Sequence, residues 1–369
     1  MSIFPVINHI NDLLPHIEGH DEIKVMRGTN DSQIVCYMFA DKNTFSNPWL
    51  RECRGIVFGR GGNIVGRPLH KFFNIGERED TLMSALDLTK ASRMMDKRDG
   101  SMIHTVWMNN MLWIKSKKSF TSAVVSLAWS VLNRDETLYT FCKEFAKKGY
   151  TLIFELTSPY ARIVLPHENT ELHLLHIRDT VTGIYYDFAR DFPEMYERYQ
   201  GIIKQVEEFN EVQNLLNNVN SLRNVEGYVV QFDNGDMVKH KCEWYRNLHR
   251  SVTMLRQRDI AQAVLDESLD DIKSALRELN IDMTEVERIE SKVVDDLTGI
   301  YDTIHVVANY WKDLTRKDFA IKLKDHPYFG LFMKAYLNQS VDVKEFYKKN
   351  MLKQWSLDIL SGGVEDSDG

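Results

Sequence analysis

The sequence predicts an α+β protein, with a first domain built on antiparallel sheets with flanking helices and a C-terminal domain that is all helical. Short runs of β-branched and aromatic residues, separated by turn residues, dominate residues 34–241. After about Tyr245, apolar residues recur every three or four positions, which is typical of amphipathic helices. A length of 369 residues suits two domains of ordinary size. We place the first domain at residues 1–245 and the second at 246–369, with a frayed tail at 361–369.

The predicted elements follow in chain order. The runs with the length and composition of strands are residues 34–40, 55–59, 102–108, 111–117, 151–157, 172–177, 183–188 and 227–232. Residues 121–148 predict one or two helices closed by Gly149, and residues 193–219 predict a further helical stretch. In the second domain, Thr284 and Glu287 form a capping-box pattern at the start of an apolar stripe that runs to Val307.

Charge and cysteine content exclude several classes of protein. The 46 Lys and Arg residues against 53 Asp and Glu residues give a net charge of −7. Bulk charge therefore does not hold this chain on nucleic acid, and any site for a polyanion must gather its cations locally. The four cysteines have no metal-ligand spacing and are expected to be free thiols in a reducing compartment. Because no stretch has the length and apolar character of a membrane span, we expect a soluble, cytoplasmic protein without membrane partners.

The dipeptide Asn234-Gly235 is a strong hairpin signal between two β-like runs. A two-residue turn there would pair Val230 with Lys239, and because strand side chains alternate, one face would collect a carboxylate and two ammonium groups. The residues expected on that face are Glu226, Tyr228, Val230, Lys239 and Lys241. A charged, solvated outer face is the alternative, although the residues of the opposite face would make no convincing core either.

Other charged residues occupy unusual positions. Lys97-Arg98-Asp99-Gly100 lies between two β-like runs, where a solvated turn is the alternative explanation. Glu155 lies in an apolar run, so its carboxylate needs a cationic partner, a hydrogen-bonding ligand or a metal; a structural salt bridge to an arginine is the alternative. Further cations in strand or turn contexts, each of which alone would be a surface residue, are Arg54, Lys71, Lys115 and Lys117.

Taken in order, these strings resemble the covalent nucleotidyltransferases, and most of all the RNA ligase 1 family of T-even phages, whose members repair cleaved tRNA. The strings are ECRG (52–55), KFFN (71–74), KRDGS (97–101), KSK (115–117), FE (154–155), EGYVV (226–230) and KHKCEWY (239–245). The helical remainder is also similar, including Asp270-Asp271-Ile272-Lys273. One position departs from the family pattern, because Lys118 stands where the family has a glycine.

The resemblance implies an adenylyltransferase (nucleotidyltransferase) domain that uses ATP and Mg²⁺. Lys97 would attack the α-phosphate of ATP to form a lysyl-AMP, AMP would pass to an RNA 5′-phosphate, and an RNA 3′-hydroxyl would then displace AMP. Lysine has a reference pKa of about 10.4, so neighbouring cations and partial burial would have to favour the neutral amine. The implied partner is a tRNA nicked in its anticodon loop, and we expect a monomer that acts in the cytoplasm, or in the host cytoplasm if the chain is viral.

The resemblance also implies roles for individual residues. Lys239 and Lys241 would stabilise charge on the α-phosphate. The expected nucleotide contacts are Tyr37, Arg54, Lys71, Lys117, Glu155, Glu226, Lys239 and Lys241, with both glutamates at the ribose or the water shell of Mg²⁺. Asp99 would orient Lys97 or meet a metal, and Tyr245 matches a position tied to the RNA-dependent steps. The candidate metal ligands are Asp270, Asp271, Glu155 and Glu226, although Asp270 and Asp271 near a helix start are also explained by the helix dipole.

Two other functions fit parts of the pattern. A DNA ligase or a GTP-using capping enzyme would share the nucleotidyltransferase strings, but those families follow the catalytic domain with a β-rich OB module, whereas this chain becomes helical after Tyr245. A catalytically inactive RNA-binding module is the second alternative. Because every expected catalytic residue type is present, the sequence favours an active RNA ligase.

Overall fold

A computed structural model describes residues 3–38, 44–161, 163–247, 256–278 and 283–355. Sheets and helices alternate through the first part of the chain, and helices alone follow among the described residues beyond position 255, which confirms the predicted α+β class. The chain divides into two compact units, Met1–Asn247 and Leu248–Gly363. The predicted tail at 361–369 lies outside the described residues.

The strands of the first unit form three sheets. In chain order they are β1 (Ile23–Arg27), β2 (Gln33–Tyr37), β3 (Arg54–Phe58), β4 (Ile64–Gly66), β5 (Phe73–Asn74), β6 (Ala91–Asp96), β7 (Ser101–Met108), β8 (Met111–Lys115), β9 (Tyr150–Thr157), β10 (Glu171–Asp179), β11 (Tyr185–Tyr186), β12 (Glu208–Phe209), β13 (Gly227–Phe232) and β14 (Met237–Lys241). The strand orders are β1-β2-β3-β4, β11-β10-β9-β7-β8 and β12-β6-β13-β14-β5. The pairing is antiparallel except between β14 and β5.

Helices flank these sheets. In the first unit they are α1 (Ile10–Ile17), α2 (Pro48–Arg51), α3 (Ala123–Leu132), α4 (Glu136–Lys147), α5 (Phe188–Asp191), α6 (Pro193–Tyr199) and α7 (Val212–Asn218). Helices α3 and α4 pack on the β11-β10-β9-β7-β8 sheet, which we call the middle sheet, where Val125 and Phe141 share a buried cluster with Phe154 of β9. The two helices closed by Gly149 are thus as predicted. The stretch 193–219 is not one helix, because β12 separates α6 from α7.

The described part of the second unit contains helices only. They are α8 (Gln257–Leu265), α9 (Leu269–Glu278), α10 (Thr284–Tyr310), α11 (Arg316–Leu323), α12 (Phe329–Tyr336) and α13 (Val343–Asn350). The predicted apolar stripe is the buried face of α10 and includes Val286, Val293 and Ile304. The predicted capping box is wrong, since Met283 is the N-cap residue and Thr284 already belongs to the helix.

The hairpin between β13 and β14 differs from the prediction by one position. Asn234 keeps a negative φ, Gly235 has φ +88°, and the Phe232 amide donates to the carbonyl of Asp236 at 2.9 Å. These features define a three-residue loop that ends in a glycine bulge, not a two-residue turn. Lys239 therefore lies opposite Val229.

This shift changes which side chains share a face, because a slip of one residue moves a strand's side chains to the other side of the sheet. Lys239 and Lys241 lie opposite Val229 and Gly227. The prediction that Tyr228 and Val230 share their face is therefore wrong.

All four cysteines are buried free thiols, in agreement with the expectation from their spacing. Cys36 lies on β2 and Cys142 on α4. Among the helices that the structure describes, none is long and apolar enough to cross a membrane.

Candidate active site

Lys97 follows the last residue of β6, and its backbone amide donates to the Gly227 carbonyl at 2.9 Å. Its Nζ lies 2.8 Å from Oε1 of Glu226, and the Nζ of Lys241 lies 3.0 Å from the same oxygen. The Glu226 side chain is only 3% exposed. One buried carboxylate thus holds two ammonium groups side by side, and the trio carries net positive charge.

Gly227 permits this arrangement at the start of β13. Its φ is +146°, and a Cβ added there would lie 2.0 Å from the His240 carbonyl oxygen of β14. Any side chain at position 227 would therefore push the two strands apart. The glycine lets Glu226 sit within hydrogen-bond distance of both lysines although the hairpin register differs from the predicted one.

Asp99 and Tyr245 form a second buried pair beside Lys97. The Tyr245 hydroxyl donates to Oδ1 of Asp99 at 2.7 Å, and the Val164 amide donates to Oδ2 at 2.8 Å. Nε2 of His167 lies 2.7 Å from the Asp99 carbonyl oxygen. The Asp99 carboxylate is therefore an acceptor that anchors the turn after Lys97 to the segment around Val164.

Glu155 lies on β9 next to the same turn. A Cβ added to Gly100 would lie 2.4 Å from the Leu156 carbonyl oxygen and 3.0 Å from Cγ of Glu155. The side chain of Glu155 is half-buried. The turn therefore approaches β9 closely enough to require glycine, and this approach places the Glu155 carboxylate at the edge of the site.

A cluster of cations surrounds Tyr37 at the end of β2. The Nζ of Lys117 lies 3.9 Å from the centroid of the Tyr37 ring, and the Nζ of Lys71 lies 5.4 Å from it. Both distances are within the range of cation–π attraction. The predicted nucleotide contacts Tyr37, Lys71 and Lys117 are thus neighbours.

Phe72 connects two further cations. Its ring centroid lies 5.5 Å from the guanidinium carbon of Arg54 and 5.9 Å from the Nζ of Lys239. Both cationic residues are buried. Together with Lys97, Lys241 and the cluster around Tyr37, they outnumber the carboxylates of the site, so an acidic chain presents a positive site suited to a polyanion.

The burial of Lys115 was not predicted from the sequence. Each cation of the KSK string would be a surface residue by itself, but Lys115 is 0% exposed. Its Nζ donates to the carbonyls of Ser116 at 2.6 Å, Lys117 at 2.9 Å and Gly55 at 3.2 Å. Burial lowers the pKa of Lys115 to about 7. The nearest sequence signal is its position directly after an apolar strand run.

A buried ionic triad near Arg54 was also missed. Glu52 accepts from Nε of Arg67 at 3.0 Å and from Nη2 of Arg178 at 2.8 Å, with all three side chains at most 1% exposed. Although burial opposes ionisation, the two guanidinium groups lower the pKa of Glu52 to about 2. Glu52 belongs to the ECRG string, and its carboxylate joins Arg67, the residue after β4, to Arg178 of β10.

The candidate metal ligands come from three places in the chain: Glu155 is on β9, Glu226 directly precedes β13, and Asp270 and Asp271 are on α9. No group of three or more His, Cys, Asp or Glu residues able to hold a metal occurs within the described ranges. Asp270 is exposed in the first turn of α9, and Glu226 is engaged by Lys97 and Lys241. Asp271 also belongs to α9.

The chain is similar to known RNA ligases. The profile of the protein family described as RNA ligase matches residues 52–245. A putative RNA ligase of Thermovibrio ammonificans is 34% identical over 248 residues, which cover 66% of this chain and 64% of that relative. RNA ligase 1 of bacteriophage TS2126 is 26% identical over 284 residues, which cover 75% of this chain and 70% of the relative.

Among solved structures, an archaeal ATP-dependent RNA ligase aligns over 81% of this chain and 80% of its own, with 10% identity and a TM-score of 0.45. The alignment with the Thermovibrio protein spans less than two thirds of that relative's length. The family match covers every string of the first unit from Glu52 to Tyr245.

Proposed function

This chain belongs to the RNA ligase family, and from that membership we propose that it is an ATP-dependent RNA ligase. It joins an RNA 5′-phosphate to an RNA 3′-hydroxyl through lysyl-AMP and RNA-adenylate intermediates. The observation that carries the proposal is the position of Lys97, whose amine lies beside Glu226 and Lys241 in a site where cations outnumber carboxylates.

In the first step, the Nζ of Lys97 attacks the α-phosphorus of ATP. The ammonium group first loses a proton to solvent, so that the neutral amine attacks. A phosphorus–nitrogen bond forms as the nitrogen loses a second proton, the bond to the bridging oxygen breaks, and pyrophosphate leaves with the electron pair of that bond. Lys239 and Lys241 stabilise the negative charge that builds on the α-phosphate oxygens. Glu226 holds the two ammonium groups in place until the nucleotide enters.

In the second and third steps, AMP moves from the protein to the RNA and is then released. An oxygen of the RNA 5′-phosphate attacks the adenylate phosphorus, and the phosphorus–nitrogen bond to Lys97 breaks, with the nitrogen keeping the electron pair and taking up a proton from solvent. The RNA 3′-hydroxyl then attacks the activated 5′-phosphorus, loses its proton and displaces AMP. Asp99 and Tyr245 keep the turn after Lys97 in one conformation through these exchanges.

The cations around Tyr37 and Phe72 are the proposed contacts of the ATP triphosphate, because they supply the local positive charge that a polyanion needs. Glu155 and Glu226 provide the oxygen ligands that Mg²⁺ prefers, directly or through water. When bound, Mg²⁺ offsets phosphate charge in the transition state. Asp270 and Asp271 are proposed as a separate contact for the metal.

We further propose the finer assignments that the resemblance implies. The substrate is a tRNA nicked in its anticodon loop, the helical residues from 246 onward select it, and the protein resembles T-even phage ligases in this role. It acts as a monomer in the cytoplasm, which is the host cytoplasm if the chain is viral.

The test is to incubate the protein with α-labelled ATP and Mg²⁺ and to map the label. We expect label on Lys97 and none in Lys97→Ala or Lys97→Arg, because a guanidinium stays protonated and does not attack phosphorus. Lys90→Ala is the matched control, since the Lys90 side chain is 68% exposed, and it should label like the wild type. Label on another lysine would overturn the assignment.

The nucleic acid is tested next. Labelled protein offered 5′-phosphorylated RNA or DNA should pass AMP to the RNA and seal it. Transfer to DNA alone would favour a DNA ligase, and labelling from GTP instead of ATP would favour a capping enzyme. Binding of RNA without any covalent label would indicate an inactive RNA-binding module.

A further inference from the structure

The ammonium group of Lys115 has a complete set of acceptors in the protein interior. It has three N–H donors, and three backbone carbonyls accept at 2.6–3.2 Å, those of Ser116, Lys117 and Gly55. A lysine with no exposed surface is rare and is costly to bury unless its donors are satisfied. The backbone around Lys115 therefore supplies the acceptors that make burial of this amine possible.

The three carbonyls belong to two different sheets. Gly55 lies on β3 in the β1-β2-β3-β4 sheet, whereas Ser116 and Lys117 follow β8 at the edge of the β11-β10-β9-β7-β8 sheet. Gly55 has φ +101°, and a Cβ added there would lie 2.3 Å from the Lys117 carbonyl oxygen. The two segments thus approach as closely as glycine permits, and the Lys115 ammonium group holds them together.

Each segment carries one of the cations assigned to the nucleotide. Arg54 directly precedes Gly55, and its guanidinium carbon lies 5.5 Å from the Phe72 ring centroid. The carbonyl of Lys117 accepts from the Nζ of Lys115, while the Nζ of Lys117 lies 3.9 Å from the Tyr37 ring centroid. A shift of either backbone would move the corresponding side chain relative to its aromatic neighbour.

We propose that Lys115 is a positioning residue for nucleotide binding, whose ammonium group fixes the Arg54 and Lys117 backbones in the arrangement that lets both side chains contact the same nucleotide. This inference rests on the proposed function. Lys115 acts through Arg54 and Lys117 and does not touch the nucleotide itself.

Packing alone does not explain a lysine at this position. A methionine has a similar length and no desolvation cost, and apolar replacements of buried charges are often tolerated. Burial lowers the pKa of Lys115 to about 7. The three carbonyls around its Nζ are acceptors, and acceptors favour the protonated form, which can donate to all of them. Across the β7–β8 pair, His104 is also buried, and burial and Lys115 lower its pKa, so its imidazole is neutral and adds no second positive charge beside Lys115.

The experiment measures ATP binding directly, by calorimetry in the full-length Lys97→Ala protein, so that no chemical step enters the result. Adding Lys115→Met should raise the Kd for ATP at least tenfold. In the protein that keeps Lys97, Lys115→Met should raise the KM for ATP by a similar factor and change the single-turnover rate of lysyl-AMP formation at saturating ATP less than threefold. An unchanged Kd would overturn the inference and leave the proposed function intact, whereas absence of ATP binding without Lys115→Met would count against the proposed function itself.

Two controls separate positioning from general destabilisation. Phe188→Leu removes packing from the buried cluster of the middle sheet and should lower the melting temperature without raising the Kd for ATP. In a protein in which Arg54 and Lys117 are both replaced by alanine, Lys115→Met should raise the Kd for ATP less than twofold, because Lys115 acts through these two residues. Full additivity in that background would contradict the proposal.

A second substitution guards against loss of folding. Lys115→Gln keeps a shorter side chain with two donors, and it should raise the Kd by less than Lys115→Met does. If both variants lose their cooperative unfolding transition, Lys115 is a folding residue and the proposal is wrong.

Discussion

Replacing Glu52 by glutamine should destabilise the first unit by an amount that depends on pH in a defined way. Glu52 is fully buried between Arg67 and Arg178, and its pKa falls from 4.5 to about 2. At about 1.4 kcal/mol per pH unit, this shift corresponds to roughly 3 kcal/mol of stability. Removal of the charge also leaves two buried guanidinium groups without a counter-ion, for which losses of about 3–5 kcal/mol are typical.

The sign of the pH dependence follows from the lowered pKa of the carboxyl group. The stabilisation is complete above pH 4.5, where Glu52 is ionised in both the folded and the unfolded chain, and it is lost as the pH falls toward 2. Urea unfolding of the wild type and of Glu52→Gln, followed from pH 7 to pH 3, gives the difference in free energy of unfolding. We expect a gap of about 3 kcal/mol at pH 7 that narrows below pH 4.5 by at most about 1.4 kcal/mol per unit.

The matched control is Glu168→Gln, since Glu168 is an exposed glutamate of the same unit. Its substitution should change the free energy of unfolding by less than about 0.5 kcal/mol at every pH. The reasoning would be refuted by a gap for Glu52→Gln below about 1 kcal/mol at pH 7, or by a gap that stays constant down to pH 3.

Two further predictions concern the proposed chemistry and the helical unit. Lys239→Ala and Lys241→Ala should each slow lysyl-AMP formation at least tenfold with little change in melting temperature, because both amines act on phosphate; a loss of stability in proportion to activity would favour a structural role. A chain ending at Asn247 should keep adenylylation of Lys97 but lose its preference for a nicked tRNA over a plain RNA strand in competition assays. Unchanged preference would contradict the selection role, and collapse of the shortened protein would favour buttressing.

The sequence predicted several strands whose residues are apolar along most of their length, although β4, which is apolar but only three residues long, was not recognised. β3 is buried at all five residues, and its run was recognised. β1 was missed because only Ile23 is buried there while Lys24 and Val25 are exposed, so the alternation is weak. β5 and β12 are two residues long and have no periodicity to detect.

The candidate site residues could be predicted where charged strings follow one another in a recognisable order along the chain. The environments of the buried charged residues could not be predicted in this way. The hairpin signal correctly predicted that Glu226 lies near Lys241. It did not predict the strand register, because Asn-Gly fits both a two-residue turn and the end of a three-residue loop. One of the three carbonyls that satisfy the buried Lys115 belongs to Gly55 of another sheet, a contact that the local sequence does not reveal. Glu52 accepts a hydrogen bond from Arg178, which lies 126 residues away in the chain, and no local sequence pattern reveals such a pair.

The buried cysteines give the protein its own set of reporters for transient opening. Burial raises the pKa of the Cys36, Cys53 and Cys142 thiols, so the thiolate that reacts with alkylating reagents is scarce while the fold is closed. The alkylation rate at each thiol then measures how often its surroundings open, in β2 for Cys36 and in α4 for Cys142. Cys242 adds a fourth position directly after β14. Mass spectrometry of the alkylated cysteines would distinguish separate opening events within the first unit without an introduced cysteine. All four cysteines precede Asn247, so the helical unit gives no signal in the same experiment.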